Sequence, residues 1–296
     1  MQDLNFQLFC YFLDAVLLIF DQANTLLQLD KPCIHILLRT LLQQLKDLLN
    51  CFVKPSVVNA SKKITQVQHQ NIQNQKSDQS LFVGKKTNDF IAANTNSKEL
   101  DLPKFYASVR RFFSKAVEYM LKKFPYDDPV LSHAAVVDVT VGEDMEFASV
   151  EFFVQHFLCI QLNSNDNDKL EREFMVYQTR DLPESITSCD RADTQWHLMS
   201  RQKDGNGQLI YSLLSKVMLA ILCIFHSNAD CERIFSLVTK NRTEFRPNMK
   251  TETLSSLITH KQFIVAKGTV CHRQTYSLAT LQKAKSATYA QLSGSK

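Results

Sequence analysis

The sequence has little glycine and proline, and it lacks the common nucleotide-binding loops. Its 296 residues include 6 Gly and 7 Pro, which argues against a glycine-rich all-β barrel. The segment Gly205-Asn206-Gly207 has no third glycine at the offset of a dinucleotide-binding motif. Gly84-Lys85-Lys86-Thr87 lacks the upstream glycine of a phosphate-binding loop. These absences leave function to be argued from other local motifs.

The cysteines and the N-terminus give no metal, disulfide or membrane signal. The 8 cysteines contain no Cys-x-x-Cys pair, and several lie in apolar helical patterns, as is typical of reduced thiols in an intracellular protein. Cys223-Ile224-Phe225-His226 is a lone Cys-x-x-His, whereas zinc needs about four ligands. Asp14 and Asp21 interrupt the apolar N-terminus, and a spanning helix needs about 20 apolar residues. We therefore expect no metal site, signal peptide, transmembrane segment or membrane partner.

Charge is unevenly distributed along a chain whose net charge is only +4. Residues 240–296 carry ten Lys and Arg against two acids, and residues 138–173 carry nine acids against two basic residues. A basic tail can contact phosphates, and such contacts weaken steeply with salt. A solvated surface, or a partner for the acidic segment, explains the same charges and is the interpretation we favour.

Hydrophobic periodicity predicts a mainly α protein with five segments. Residues 4–20 and 34–53 show apolar residues at helical spacing and predict a helical hairpin over 1–53. Residues 54–102 are rich in Gln, Asn, Ser and Lys and predict a polar flexible linker. Further helices follow over 103–200 and 205–264, and residues 265–296 predict a disordered basic tail.

One local motif is specific, Ser227-Asn228-Ala229-Asp230-Cys231-Glu232-Arg233-Ile234-Phe235-Ser236. It predicts a helix start in which Ser227 is the N-cap and Asp230 closes a capping box. A second helix follows a turn at Arg246-Pro247-Asn248. The apolar residues of the two helices exceed what two helices can bury, so each belongs either to the core or to an interface with a second copy. These predicted packing residues are Ile234, Phe235, Leu237, Val238, Leu254, Leu257 and Ile258.

The segment from Leu213 to Ser236, followed by Lys240-Asn241-Arg242 and the Leu254 helix, resembles the C-terminal region of hAT-superfamily DNA transposases. Weaker similarity runs upstream through Leu170–Gln178 and Asp193-Thr194-Gln195-Trp196. The resemblance implies a helical insertion domain plus the C-terminal helical part of an RNase H-like core, with most strands missing. It also implies a transposon-derived, truncated chain that begins inside the insertion domain.

The same resemblance implies a catalytically incomplete protein whose activity is dimerisation. In that family two Asp and one Glu hold two divalent metals, and Glu232 matches the Glu. No residue matches the two Asp, and one carboxylate cannot hold two Mg²⁺ ions, so we expect no enzyme activity and no cofactor. Phe225 stands where related sequences often have Pro, which loosens any inference about the geometry of Glu232.

The implied partner is a second copy of the chain or a related transposase-like chain, and the implied location is the nucleus. Two alternatives stay open. In the first, the chain is a subunit of a metal-dependent DNA transposase or nuclease, with Glu232 completed by aspartates and Mg²⁺ from a partner. In the second, the basic segment 240–296 is a nucleic-acid-binding module that gives weak DNA binding.

Overall fold

The computed structural model describes residues 3–95, 97, 99–157, 160, 162–243 and 249–293. These residues are mainly helical, which confirms the predicted α class. Within them, extended pairing is limited to two isolated antiparallel bridges, Val53 with Gln75 and Lys203 with Leu209. The chain divides into two compact units, Met1–Asn228 and Ala229–Lys296.

The first unit is a stack of helices joined by short turns. Its α-helices are α1 (Leu4–Leu27), α2 (Ile34–Phe52), α3 (Pro55–Ala60), α4 (Lys85–Ala93), α5 (Leu102–Lys123), α6 (Pro129–Ala134), α7 (Phe147–His156), α8 (Ser164–Thr179), α9 (Glu184–Thr187), α10 (Ala192–Met199) and α11 (Leu214–Leu222). Single 3₁₀ turns lie at Ile64–Gln66, Ile72–Asn74, Asp78–Ser80, Ala135–Val137 and Gly142–Asp144.

The predicted helices at the N-terminus and after Leu102 are confirmed, and they build the core of the first unit. Asp3 caps α1 by accepting hydrogen bonds from the next backbone N–H groups. The Phe12 ring packs edge-to-face on three rings of α5, at centroid distances of 5.6–6.1 Å. The Gln44 side-chain amide donates to the Ile19 carbonyl (2.8 Å), which ties α2 to α1. Residues Leu4–Asp21 of α1 have a mean hydropathy of 1.5 and could span a membrane by length and composition alone, criteria that core helices also meet.

Residues 54–102 differ from the prediction of a polar flexible linker. The Lys76 N–H donates to the Phe52 carbonyl (2.8 Å) and the Phe82 N–H to the Cys51 carbonyl (2.9 Å), so the backbone is tied to the end of α2. Single apolar residues spaced along the segment are buried in the core: Val58, Val67, Leu81 and Val83. Val58 lies in the short helix α3, and Val67, Leu81 and Val83 lie in loops, so their spacing has no regular period and the pattern predicts a linker.

The second unit contains α12 (Ala229–Asn241), α13 (Thr251–Ala266), a 3₁₀ turn at Cys271–Arg273 and α14 (Leu278–Ser293). The unit begins inside the predicted 205–264 region. The tail predicted as disordered differs as well, because it carries α14. Residues 278–290 of that helix are exposed, and it is supported by local propensity, by the Ser277 hydroxyl, which accepts from the Thr280 N–H (3.2 Å), and by the Lys285 ammonium 6.0 Å from the centroid of the Tyr289 ring. The turn predicted at Arg246-Pro247-Asn248 lies outside the described residues.

Candidate dimerisation surface

The part of the signature region that belongs to the first unit is a core element. Helix α11 buries its apolar face in that unit, with Leu214, Val217, Met218 and Ile221 at most 1% exposed. The loop before it is ordered by Asp204, whose carboxylate accepts from the Asn206 N–H (2.9 Å) and the Gln208 N–H (2.8 Å). Because most of its apolar side chains are buried inside the unit, α11 exposes few that could contact a partner.

The first turn of α11 is held by a buried carboxylate from another helix. Glu173 of α8 is 5% exposed and accepts from the N–H groups of Leu213 and Leu214 (both 2.8 Å) and from the Ser212 hydroxyl (2.8 Å). These N–H groups belong to the helix terminus that has no partner inside the helix. The sequence prediction missed Glu173. One signal could have found it, because Glu173 shares the buried helical spacing of Leu170, Phe174 and Tyr177.

The two predicted cap residues of α12, Ser227 and Asp230, contact other groups in the structure. Since α12 begins at Ala229, the residue before the helix is Asn228 rather than Ser227. The Ser227 hydroxyl instead donates to the Leu27 carbonyl at the end of α1 (2.5 Å). The Asp230 carboxylate forms an ion pair with Arg233 one turn further along the same helix. Neither contact excludes the capping box, because a hydroxyl that donates one hydrogen bond can still accept another, so the cap stays a prediction.

The predicted apolar stripe of α12 divides between a covered and an open face. The side chains that are at least partly buried share one face: Ile234, Leu237, Val238 and Asn241. Asn241 lies 8% exposed and accepts from the Lys261 ammonium of α13 (2.7 Å). Because an α-helix turns about 100° per residue, Phe235 lies about 110° away from that face. Phe235 is 66% exposed and therefore lies outside the core of its own unit.

Helix α13 pairs with α12 and also leaves aromatic surface open. Leu254 and Ile258 are buried and Leu257 is half-buried, as the packing prediction expects. Phe263 is 46% exposed, with the Lys267 ammonium 4.4 Å from its ring centroid. Phe235 and Phe263 therefore give the second unit two large aromatic side chains that contact water.

Comparison with known families identifies this segment. Residues 197–264 match the model of the hAT family C-terminal dimerisation region. The chain therefore contains a segment similar to that dimerisation region, and we call residues 197–264 the hAT region. The match confirms the resemblance seen in Ser227–Ser236 and places its start upstream of residue 205. No curated protein and no solved structure matches the chain.

Glu232, which the resemblance equates with the family's catalytic Glu, is exposed on α12 of the hAT region. It stands one residue after the exposed Cys231. Among the described residues, no group of three or more His, Cys, Asp and Glu has the arrangement to hold a metal ion. Any metal chemistry at Glu232 would need further oxygen ligands, since Mg²⁺ takes several.

The cysteines differ in exposure more than their apolar sequence contexts predict. Burial raises the pKa of the Cys51 thiol to about 12, and it also raises that of Cys33. The thiols of Cys10, Cys223, Cys231 and Cys271 are exposed. Cys159 lies outside the described residues. The buried thiols are structural, whereas the exposed ones are accessible to chemical probes.

A second surface feature, which sequence reasoning missed, is a cavity of about 440 Å³ in the first unit. Leu38, Leu42, Leu131 and other apolar side chains line it, together with the Arg39–Asp138 ion pair (3.2 Å). The His35 ring borders the cavity, and burial lowers its pKa. The buried Nδ1 of His35 has no hydrogen-bond partner among the described residues.

Proposed function

We propose that the chain is a protein-dimerisation module of a transposase-derived protein and that it associates with a second copy through the open faces of α12 and α13. The observation that carries this proposal is the 66% exposure of Phe235 inside the hAT region. Aromatic residues dominate the binding energy of protein interfaces, and burying a Phe side chain contributes about 1.5–3 kcal/mol. Phe263 adds a second aromatic anchor on the neighbouring helix.

The difference in burial between the helices of the hAT region supports this choice of surface. Helix α11 is covered inside the first unit, whereas α12 and α13 keep aromatic rings in water. The charges of Asp230 and Arg233 on α12 are paired with each other, which lowers the cost of desolvating them on association, whereas Glu232, one turn before Phe235, is exposed. The same surface would accept a related transposase-like chain that carries the same signature.

Sedimentation velocity of the full chain at increasing micromolar concentration tests the proposal. We expect a dimer for the wild type and a dissociation constant raised about tenfold or more for Phe235→Ala. Tyr119→Ala is the matched control, because Tyr119 of α5 is an aromatic residue of similar exposure (63%) outside the hAT region. A wild-type chain that sediments as a monomer throughout would refute the proposal.

We also propose that the chain is catalytically incomplete and works without a cofactor. The proposal is supported by the match of Glu232 alone to the family's three metal-binding acids and by the exposure of its side chain. Incubation with supercoiled DNA and Mg²⁺ or Mn²⁺ tests it, and we expect no nicking above the level of Glu232→Gln. Metal-dependent nicking that Glu232→Gln abolishes would favour the alternative of a nuclease subunit.

The finer assignments of fold and location rest on the resemblance and stay proposals. We infer that residues 1–53 belong to the family's helical insertion domain and that residues 205–264 belong to the C-terminal helical part of an RNase H-like core. We infer a nuclear location on the same ground. Imaging of the tagged chain in cells tests the location, and an exclusively non-nuclear signal would contradict it.

Nucleic-acid binding is a second candidate function, favoured by one observation on α14. Lys283 and Lys285 are exposed there, and the sequence of α14 contains no acid. Each lysine that no longer neutralises a phosphate should reduce the salt slope of binding by about one. We expect any DNA affinity to fall with salt and with Lys283→Gln and Lys285→Gln. An affinity that is undetectable or independent of salt would exclude this function.

A further inference from the structure

Helix α1 is apolar on both of its faces. Its inner face lies in the core of the first unit, where Leu8, Phe12 and Val16 are at most 2% exposed. Its outer side chains are also large and apolar, with Phe6 70%, Leu17 55% and Leu18 66% exposed. A surface helix normally places polar residues outward, so this outer face is an exception.

The outer residues follow the spacing of a helix-pairing seam. Phe6, Cys10, Leu13, Leu17 and Phe20 recur at alternating steps of four and three residues. This is the a/d spacing at which a second helix packs against the first. Contiguous apolar surface of this kind marks interaction sites on soluble proteins. We call the exposed residues Phe6, Cys10, Leu13 and Leu17, with the neighbouring Leu18, the outer stripe of α1; Phe20, which continues the spacing, is half-buried and packs against the core.

The charges beside the outer stripe argue against a lipid surface as its occupant. Helices that lie on membranes carry Lys and Arg along their polar face. Helix α1 contains no Lys or Arg, and its charged side chains are Asp14 and Asp21. Asp14 is paired with Lys86 of α4 (2.9 Å), and Asp21 is exposed. An anionic bilayer would repel this flank, which leaves a protein helix as the occupant.

A contact at the end of α1 links the outer stripe to the hAT region. The Ser227 hydroxyl donates to the Leu27 carbonyl in the last turn of α1 (2.5 Å), and Ser227 lies within residues 197–264. Both residues belong to the same compact unit. The outer stripe therefore runs along a helix whose end touches the segment that the family comparison assigns to dimerisation.

The size of the stripe indicates that it extends an interface rather than forming one by itself. An apolar stretch of 18 residues, Leu4–Asp21, is about 27 Å long as a helix about 10 Å wide. Such a footprint is well below the roughly 800 Å² per partner of a stable interface. A partner that already holds the chain elsewhere would supply the remaining area, and a second copy of the chain meets this condition.

We propose that a second copy of this chain covers the outer stripe of α1 in the dimer, as a contact additional to those made by α12 and α13. This inference rests on the proposed function, since it needs a chain that self-associates. The exposed residues Leu17 and Leu18 make the stripe testable, because replacing them removes little of the core packing of α1.

The test compares the full-length wild type with the double variant Leu17→Gln/Leu18→Gln by sedimentation velocity. We expect the variant to raise the dimer dissociation constant about tenfold or more, with unchanged helical circular dichroism. Ile72→Gln is the control, since Ile72 is an apolar residue 81% exposed outside α1. Alkylation supplies a second readout, because Cys10 of the stripe should be protected as concentration rises while Cys271 is not.

Each outcome distinguishes this inference from the proposed function. A monomeric wild type removes both. A dimer that Phe235→Ala weakens, with an unaffected Leu17→Gln/Leu18→Gln variant and no protection of Cys10, overturns this inference alone. Co-sedimentation of the wild type with phosphatidylcholine vesicles, lost in the double variant while the dimer constant stays unchanged, overturns it in favour of a lipid surface.

Discussion

The Glu173 carboxylate accepts hydrogen bonds from the backbone N–H groups of both Leu213 and Leu214, each at 2.8 Å. It thereby fixes the start of α11 from α8, 40 residues earlier in the chain. A negative charge at a helix N-terminus also interacts favourably with the helix dipole. One side chain thus links the middle of the first unit to the beginning of the hAT region.

Removal of this carboxylate should destabilise the chain. Glu173→Ala leaves two buried N–H groups without an acceptor, and we expect a loss of about 2–4 kcal/mol in the free energy of unfolding. Glu173→Gln keeps an acceptor oxygen and should lose less. Urea denaturation followed by circular dichroism measures both. Glu171→Ala, an exposed position on the same helix, should stay within about 0.5 kcal/mol of the wild type, and equal losses at the two positions would contradict the assignment.

Gly84 is the position where a side chain should be least tolerated. Its φ is +87°, and an added Cβ would lie 2.3 Å from the Cβ of Ala15 in α1. With ψ 154° this backbone conformation is essentially confined to glycine, so strain of about 1–3 kcal/mol adds to overpacking of about 1–3 kcal/mol and Gly84→Ala should be clearly destabilising in urea denaturation. At Gly205 an added Cβ meets nothing within 4 Å. Gly205→Ala should therefore be as stable as the wild type. A Gly84→Ala variant as stable as this control would count against the close approach of Gly84 to Ala15 of α1.

Trp196 joins α10 to the turn after α6 through a buried hydrogen bond. Its indole Nε1 donates to the Val137 carbonyl (2.8 Å), and its side chain is fully buried. Trp196→Phe leaves that carbonyl unsatisfied and opens a small cavity, so we expect a loss of about 1–3 kcal/mol. Thermal or urea unfolding monitored by circular dichroism measures it. A change below about 0.5 kcal/mol would show that the hydrogen bond adds little.

The sequence predicted the elements whose signal is long and local. Helices α1, α2 and α5 follow from many apolar residues at helical spacing. The packing between residues 54–102 and α2 was missed, because its buried side chains come one at a time from turns. The sequence left Phe235 open between the core and an interface, because a run of adjacent apolar residues does not show which of them the 100° step between neighbours turns outward. The role of Glu173 depends on N–H groups 40 residues away, which no local pattern contains.

Burial of His35 should make the stability of the chain depend on pH. Its pKa lies below the usual 6.5, first because of desolvation and then because of the positive charges of Arg39, Lys31 and His226, while Asp138 acts in the opposite direction. Below pH 6.5 the unfolded chain therefore binds a proton at His35 more readily than the folded chain does. The contribution of His35 to the free energy of unfolding is fully present above pH 6.5, and it is lost as the pH falls from 6.5 towards the lower pKa of the folded state. His35→Gln should flatten this dependence between pH 7.5 and 5, two settings chosen to bracket the titration at about 6.5. Urea denaturation at both pH values measures the difference, with the exposed His197→Gln as control. The assignment would be wrong if His35→Gln and the wild type lost equal stability on acidification.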